Sequence, residues 1–153
     1  MPFELSYEEP AHGWTTCQIS VEGQRVEMRV SYLHDSLYDL TTAAAALLTG
    51  APEATVIFMD EPGEHHLILR REAANVSLEV RWFKDWASAG VTSPAEFVVS
   101  LAGNVRVRTF GGAVLSVLQR LSSTLGPVAY EERWHMPFPT QRFEALESLL
   151  RGQ

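Results

Sequence analysis

Residues 15–33 read TTCQISVEGQRVEMRVSYL and are the stretch that decides the fold class. Apolar and polar side chains alternate along both halves, which is the period of two expected of strands with one buried face. Glu22 and Gly23 lie between the halves, where glycine supplies the positive φ that tight hairpin turns need. The stretch therefore predicts a β-hairpin whose buried face is formed by Cys17, Ile19, Val21, Val26, Met28, Val30 and Tyr32.

The next segment, HDSLYDLTTAAAALLTG at 34–50, predicts a short helix. Its apolar residues recur at helical spacing, Asp35 or Ser36 is placed to cap the first turn, and Gly50 stands where the helix would stop. The alanines on this helix would allow it to approach a sheet closely.

Four more strands and two more helices are predicted after it. The strands cover 55–59, 65–71, 75–83 and 97–103, with a strong turn signal at Pro62-Gly63 and a loop at 84–96 that contains Gly90 and Pro94. Apolar residues at helical spacing then predict a helix over 109–125, ended by Gly126-Pro127. A proline-rich turn and a last helix capped by Thr140 follow.

These elements occur in the order ββαββββαα, which predicts an α+β fold. Consecutive strands joined by short loops favour antiparallel pairing, and helices that are grouped favour α+β over α/β. We expect one antiparallel sheet of about six strands with helices packed on one face. The chain of 153 residues, 46% of them hydrophobic, is the size of a single domain, which we assign to 1–153.

The net charge of −7 is distributed unevenly along the chain. Residues 1–66 contain 11 acids against two bases, whereas 67–153 contain 8 acids against 10 bases. Such a field repels nucleic acid and anionic membranes and speeds the encounter with a basic protein. The charge therefore favours a basic protein partner and argues against nucleic acid and membrane, unless it serves solubility alone.

The single cysteine, Cys17, excludes an intrachain disulfide and any metal site built on several thiolates. The N-terminal residues lack the basic and apolar regions of a signal peptide, and no apolar run reaches the roughly 18 residues that span a bilayer. We therefore expect a cytoplasmic protein. No motif for a cofactor, a metal ion or catalysis is present, so we assign none.

The segment DEPGEHH at 60–66 combines three carboxylates with two imidazoles in seven residues, namely Asp60, Glu61, Glu64, His65 and His66. One interpretation is a small-molecule or acid–base site. Adjacent residues of a strand project to opposite faces, however, so the two histidines converge only if they lie in the turn. The alternative is a solvated hairpin tip, because turns favour polar residues without any chemistry.

A second candidate combines His34 with Asp35 and Asp39, which lie one helical turn apart. The two carboxylates would share a cation or orient the imidazole. Alternatively, they only cap the helix and complement its dipole.

The third candidate is the aromatic tail, in which Trp134 and Phe138 stand among prolines. Large aromatic residues dominate interaction hot spots, but they also fill cores. The tail is therefore either a contact surface for a partner or a hydrophobic plug.

The phrases SYLHDSLYDL, DEPGEHH, LEVRWFKDW and ERWHMPFP resemble small uncharacterised bacterial proteins, particularly actinobacterial ones. The build, an acidic α+β domain of this length, is similar to immunity proteins of polymorphic toxin systems. This similarity implies a basic toxin as partner. A toxin that is a nuclease must be basic to hold nucleic acid, and an acidic inhibitor would be complementary to it.

We predict a non-enzymatic protein-binding module, such as an immunity-type inhibitor, that is a monomer or a homodimer. The alternatives are a small-molecule-binding protein or enzyme that uses the 60–66 turn, and a structural homo-oligomer. The predicted partner-binding residues are Asp35, Asp39, Asp60, Glu61, Glu64, His65, His66, Trp134 and Phe138.

Overall fold

The computed structural model describes residues 3–87, residue 90 and residues 96–152. The strands are β1 (Glu4–Tyr7), β2 (Trp14–Val21), β3 (Gln24–Ser31), β4 (Glu53–Met59), β5 (Glu64–Glu72), β6 (Asn75–Phe83) and β7 (Val98–Arg106). The helices are α1 (Ser36–Leu48), α2 (Val107–Thr124), α3 (Gly126–Trp134) and α4 (Thr140–Arg151). None of the helices in these ranges combines the length and the apolar character that crossing a membrane requires.

The α+β class is confirmed, but the strands form two antiparallel sheets, so the prediction of a single six-stranded sheet is wrong. One sheet has the order β1-β2-β3 and the other has the order β4-β5-β6-β7. The sequence pattern missed β1, because four residues are too few to show alternation. It also could not indicate that β3 and β4, which are separated by α1, belong to different sheets.

The predicted hairpin is confirmed, with β2 and β3 in register from Trp14 opposite Ser31 to Val21 opposite Gln24. Glu22 and Gly23 both have positive φ, at 50° and 79°, as a two-residue hairpin turn requires. The predicted helix is confirmed as α1, with Asp35 as its N-cap.

Side chains from the turn of this hairpin join the two sheets at the outer edge of β7. The Gln24 amide donates to the Ala102 carbonyl oxygen at 2.7 Å and accepts from the Ala102 N–H at 3.2 Å. Glu22 accepts from the Asn104 N–H at 2.6 Å. A Cβ on Gly103 would lie 2.5 Å from Glu22 Oε2 and 2.8 Å from Val21 Cγ1, so the two sheets are closely packed here.

The apolar faces of both sheets and the buried sides of α1 and α2 form one continuous core. Within it α1 lies against β4 and α2, and α2 also lies against β1 and β7. Gly111 allows α2 to approach α1, because a Cβ there would lie 3.0 Å from Leu48 Cδ1.

The C-terminal part differs from the prediction in two places. A helix that was not predicted, α3, begins at Gly126, and Pro127 lies in its first turn, where proline is well tolerated. Thr140 does not cap α4; Pro139 is the N-cap and no side chain bonds the free N–H groups. The loop predicted for 84–96 lies partly outside the described residues, since 88–89 and 91–95 are not among them.

The packing at the join between the sheets predicts that Gly103→Ala destabilises the chain. The added Cβ overlaps Glu22 and Val21, so we expect a loss of about 1–3 kcal/mol in the free energy of unfolding. Urea denaturation measures this loss. Ala102→Ser, one residue earlier on the exposed side of the same strand, is the control and should be close to neutral.

A second substitution should stabilise the chain. Gly112 lies inside α2, and a Cβ at this position has nothing within 4 Å. Gly112→Ala should therefore gain about 1 kcal/mol of helix propensity and raise Tm by roughly 2–4 °C. Gly111→Ala should gain less, because its Cβ presses on Leu48. Equal gains at both positions in thermal denaturation would contradict this packing.

Candidate functional site

The N-terminus of α1 is tied to the C-terminal part of the chain through Asp35. Its Oδ1 accepts from the Tyr38 N–H at 3.4 Å and from Trp134 Nε1 at 3.2 Å. Burial raises the pKa of Asp35 above its ordinary value, and these hydrogen bonds only partly oppose the shift. Trp134 is fully buried, so this aromatic residue belongs to the core, and its indole N–H donates to the partly exposed Asp35.

Asp39, one turn further along α1, links the helix to the second sheet. Its Oδ2 contacts His34 Nε2 at 2.6 Å and accepts from the Ile57 N–H of β4 at 3.2 Å. The hydrogen bond with Asp39 raises the pKa of His34, and the charges of Asp35 and Glu64 add to the shift. Asp39 thus contacts the imidazole as one interpretation predicted, whereas Asp35 caps the helix as the alternative predicted.

The turn between β4 and β5 is placed beside the end of β3. Glu61 accepts from the Ser31 hydroxyl at 2.7 Å, and its side chain is exposed. Gly63 has a φ of 96°, and a Cβ on it would lie 2.4 Å from the Trp82 ring. Only glycine therefore fits at this position of the turn.

The interpretation of 60–66 as a solvated hairpin tip is wrong for two of its residues. Glu64 is 0% exposed and His65 is 8% exposed, because β5 already begins at Glu64. The polar composition of the segment does not show that both faces of β5 are covered at this point.

The two histidines project to opposite faces of β5, as the strand geometry predicted. His65 packs on Trp82 with ring centroids 4.6 Å apart, and its Nδ1 has no hydrogen-bond partner in the described part of the chain. Burial lowers the pKa of His65 to about 4. His66 contacts Glu64 at 2.5 Å on the other face. The described residues hold no group of three or more side chains suited to a metal ion.

Exposed apolar side chains concentrate just before and within the first turn of α1. Tyr32, Leu33 and Tyr38 are 39%, 49% and 41% exposed. The expectation that Tyr32 belongs to the buried face of the hairpin is wrong, because β3 ends at Ser31. The Tyr32 ring packs on His135 instead, with ring centroids 5.0 Å apart. We call Tyr32, Leu33 and Tyr38, together with the carboxylates of Asp35, Asp39 and Glu61, the α1 face.

A cleft of about 620 Å³ opens beside this face. Asp35 and Tyr38 line one side, and the turn before α4 lines the other with Pro137, Phe138 and Pro139. Arg142 also lines the cleft; its guanidinium lies 5.6 Å from the Tyr38 ring centroid and donates to the Tyr38 hydroxyl at 3.3 Å. Phe138 is 7% exposed, so this predicted residue forms the cleft wall and is not a protruding contact.

The nine predicted site residues therefore separate into four groups. Asp35, Asp39 and Glu61 belong to the α1 face, and Trp134 and Phe138 are buried behind it. Glu64, His65 and His66 lie on β5, and Asp60 lies in the turn before it, where its Oδ1 accepts from the Glu61 N–H at 2.8 Å. Sequence reasoning missed Leu33 and Tyr38, whose exposure no periodicity indicated, and it missed Arg142, which reaches Tyr38 from 104 residues further along the chain.

The buried His65 predicts a loss of stability in acid. Its pKa is about 4 in the folded chain against an ordinary value of 6.5, so between these pH values only the unfolded chain binds the proton. The free energy of unfolding thus falls by about 3 kcal/mol through this group as the pH drops from 6.5 to 4. Below pH 4 the group adds no further loss.

His65→Phe should therefore lose less stability than the natural chain between pH 7 and pH 4 in urea denaturation. His12→Asn is the matched control, because His12 is exposed and asparagine tolerates its positive φ of 56°. If His65→Phe and the natural chain lose equal stability over this range, His65 does not carry the acid sensitivity.

Comparison with known proteins identifies no family for the chain. No protein-family model and no curated protein matches it. Among solved structures it is loosely similar to a chain of the CdiA-CT/CdiI toxin and immunity complex from Enterobacter cloacae, with a TM-score of 0.47 and 9% identity. The match covers 76% of this chain and 99% of that chain. At this level of similarity it carries no argument about function.

Proposed function

We propose that the chain is a protein-binding module whose α1 face docks on a basic partner. The observation that carries this proposal is the concentration of exposed apolar residues. Six large hydrophobic side chains are exposed in the described ranges, and three of them, Tyr32, Leu33 and Tyr38, lie within seven consecutive residues. Burial of such a group in a complex is favourable, since it removes apolar surface from water.

The composition of the α1 face matches that of interfaces. Tyrosine is enriched at binding hot spots, and a polar rim around an apolar centre is the usual arrangement. Tyr32 stands against His135 and Tyr38 against Arg142, so both rings are held before a partner arrives. Such preorganisation lowers the entropy cost of association.

Charge supports a basic partner. Asp35 and Asp39 share the first turn of α1 with Tyr38, Glu61 bonds to Ser31 beside Tyr32, and the chain as a whole carries −7. A negative surface of this kind speeds the encounter with a positive one and disfavours nucleic acid. An immunity-type inhibitor of a basic toxin is the specific role we propose, because a toxin that cleaves nucleic acid needs a positive surface.

The proposal predicts how substitutions on the α1 face change affinity. The test uses basic toxins encoded beside the gene for this chain, with Kd measured by calorimetry and protection measured by growth. Tyr32→Ala and Leu33→Ala should each weaken binding at least about tenfold, as hot-spot truncations do. Val98→Ala is the control, because Val98 is 66% exposed but lies on β7; it should leave Kd unchanged.

A second pair of variants tests the contribution of charge on the α1 face to association with the partner. Glu61→Gln removes the charge but keeps an oxygen that accepts from Ser31, so it should slow association and reduce its salt dependence. Glu72→Gln removes an exposed carboxylate at the far end of β5, roughly 27 Å from Glu64, and should have little effect. Tight binding that survives the combined Tyr32, Leu33 and Glu61 changes would refute docking on the α1 face.

Self-association is the competing role, and one observation favours it. Val98 and Val99, at the start of the edge strand β7, are 66% and 46% exposed, and exposed strand edges pair readily with a second copy. Light scattering of the pure chain distinguishes the two roles, because Val98→Lys would abolish a dimer that uses this edge and would leave binding at the α1 face intact.

A further inference from the structure

We propose that the cleft beside the α1 face binds a dipolar segment of the partner, in which a lysine or arginine side chain meets Asp35 and a carboxylate meets Arg142. This inference rests on the proposed function, since it names the chemistry that a docked protein presents at this point. It adds a specific pocket to what is otherwise a surface contact.

The arrangement of charge around Tyr38 gives the cleft its polarity. Asp35 Oδ1 is bonded to the backbone N–H of Tyr38, whereas Arg142 is bonded to the hydroxyl of the same residue. The carboxylate and the guanidinium therefore stand at opposite ends of one tyrosine. They line the same cleft but form no ion pair with each other within the described chain.

The Asp35 carboxylate can accept a further hydrogen bond from a ligand. Both of its hydrogen bonds are made by Oδ1, and no described residue donates to Oδ2. Burial disfavours the charge on this carboxylate, as the raised pKa shows. A cation placed in the cleft would compensate that charge and supply the missing donor, which makes Asp35 a receptor for a basic side chain.

The walls of the cleft suit the stem of such a side chain. Pro137, Phe138 and Pro139 form an apolar wall opposite Tyr38, and the methylene groups of lysine or arginine pack well on such surfaces. A volume of about 620 Å³ accommodates one such residue with its neighbouring backbone groups.

Three small probes test this chemistry without the partner. N-acetylarginine carries the guanidinium and a carboxylate, its primary amide lacks the carboxylate, and N-acetylcitrulline lacks the cation. Binding is followed by NMR through the indole N–H of Trp134, which bonds to Asp35. We expect N-acetylarginine to shift this signal with a Kd on the order of 1 mM. Each of the other probes should bind roughly tenfold more weakly.

Two conservative variants assign the ends of the cleft. Asp35→Asn keeps an oxygen for Tyr38 and Trp134 and remains a good N-cap, so the fold is preserved. In this variant N-acetylarginine and N-acetylcitrulline should bind equally weakly. In Arg142→Gln, N-acetylarginine and its amide should bind equally. Arg151→Gln, at an exposed position of α4 outside the cleft lining, is the matched control and should leave the order of the three probes unchanged.

The inference is overturned if N-acetylarginine leaves the Trp134 signal unshifted at 50-fold above the roughly 1 mM expected. It is also overturned if the three probes bind alike, or if Asp35→Asn binds as the natural chain does. These failures differ from a failure of the proposed function, which would show as loss of partner binding with intact probe binding. Probe binding that fails while the partner still docks removes the cleft but leaves the α1 face.

Discussion

The fold depends on a contact between its two sheets, in which side chains of the β2–β3 hairpin form the hydrogen bonds that a neighbouring strand would form with β7. The amide of Gln24 both donates to and accepts from Ala102, as a peptide group of a neighbouring strand would, and Glu22 takes the next outward N–H at Asn104. These bonds occupy outward backbone groups of Ala102 and Asn104, so the edge of β7 is paired here without an added strand. The two small sheets thus remain separate in their strand pairing while their apolar faces contribute to one core.

Side chains also bond at β4, the opposite edge of the second sheet. Asp39 accepts from the Ile57 N–H of β4, and Glu61, in the turn after β4, accepts from the Ser31 hydroxyl at the end of β3. The segment between β3 and α1 is thus fixed at both ends by carboxylates. This explains why its apolar residues are exposed: the backbone leaves the first sheet at Ser31 and enters a helix that is already oriented by β4.

Local patterns were sufficient for most elements, and the interactions between distant residues were not predictable. Alternation and the Glu22-Gly23 turn predicted β2 and β3, and polar residues before an apolar helical pattern predicted that Asp35 or Ser36 would be the N-cap. By contrast, Gln24 has the same polar appearance whether it contacts solvent or Ala102, which is 78 residues away. The burial of His65 depends on the register of β5 opposite Phe58 and Trp82, which a turn-like composition conceals.

The hydrogen bond from Trp134 to Asp35 spans 99 residues and has a consequence for synthesis of the chain. During translation the N-terminal hairpin and α1 leave the ribosome long before α3 exists. Until Trp134 has emerged, Asp35 lacks this donor and the Phe138 wall of the cleft is absent. The cleft beside the α1 face therefore forms only after the chain has been synthesised as far as Arg142.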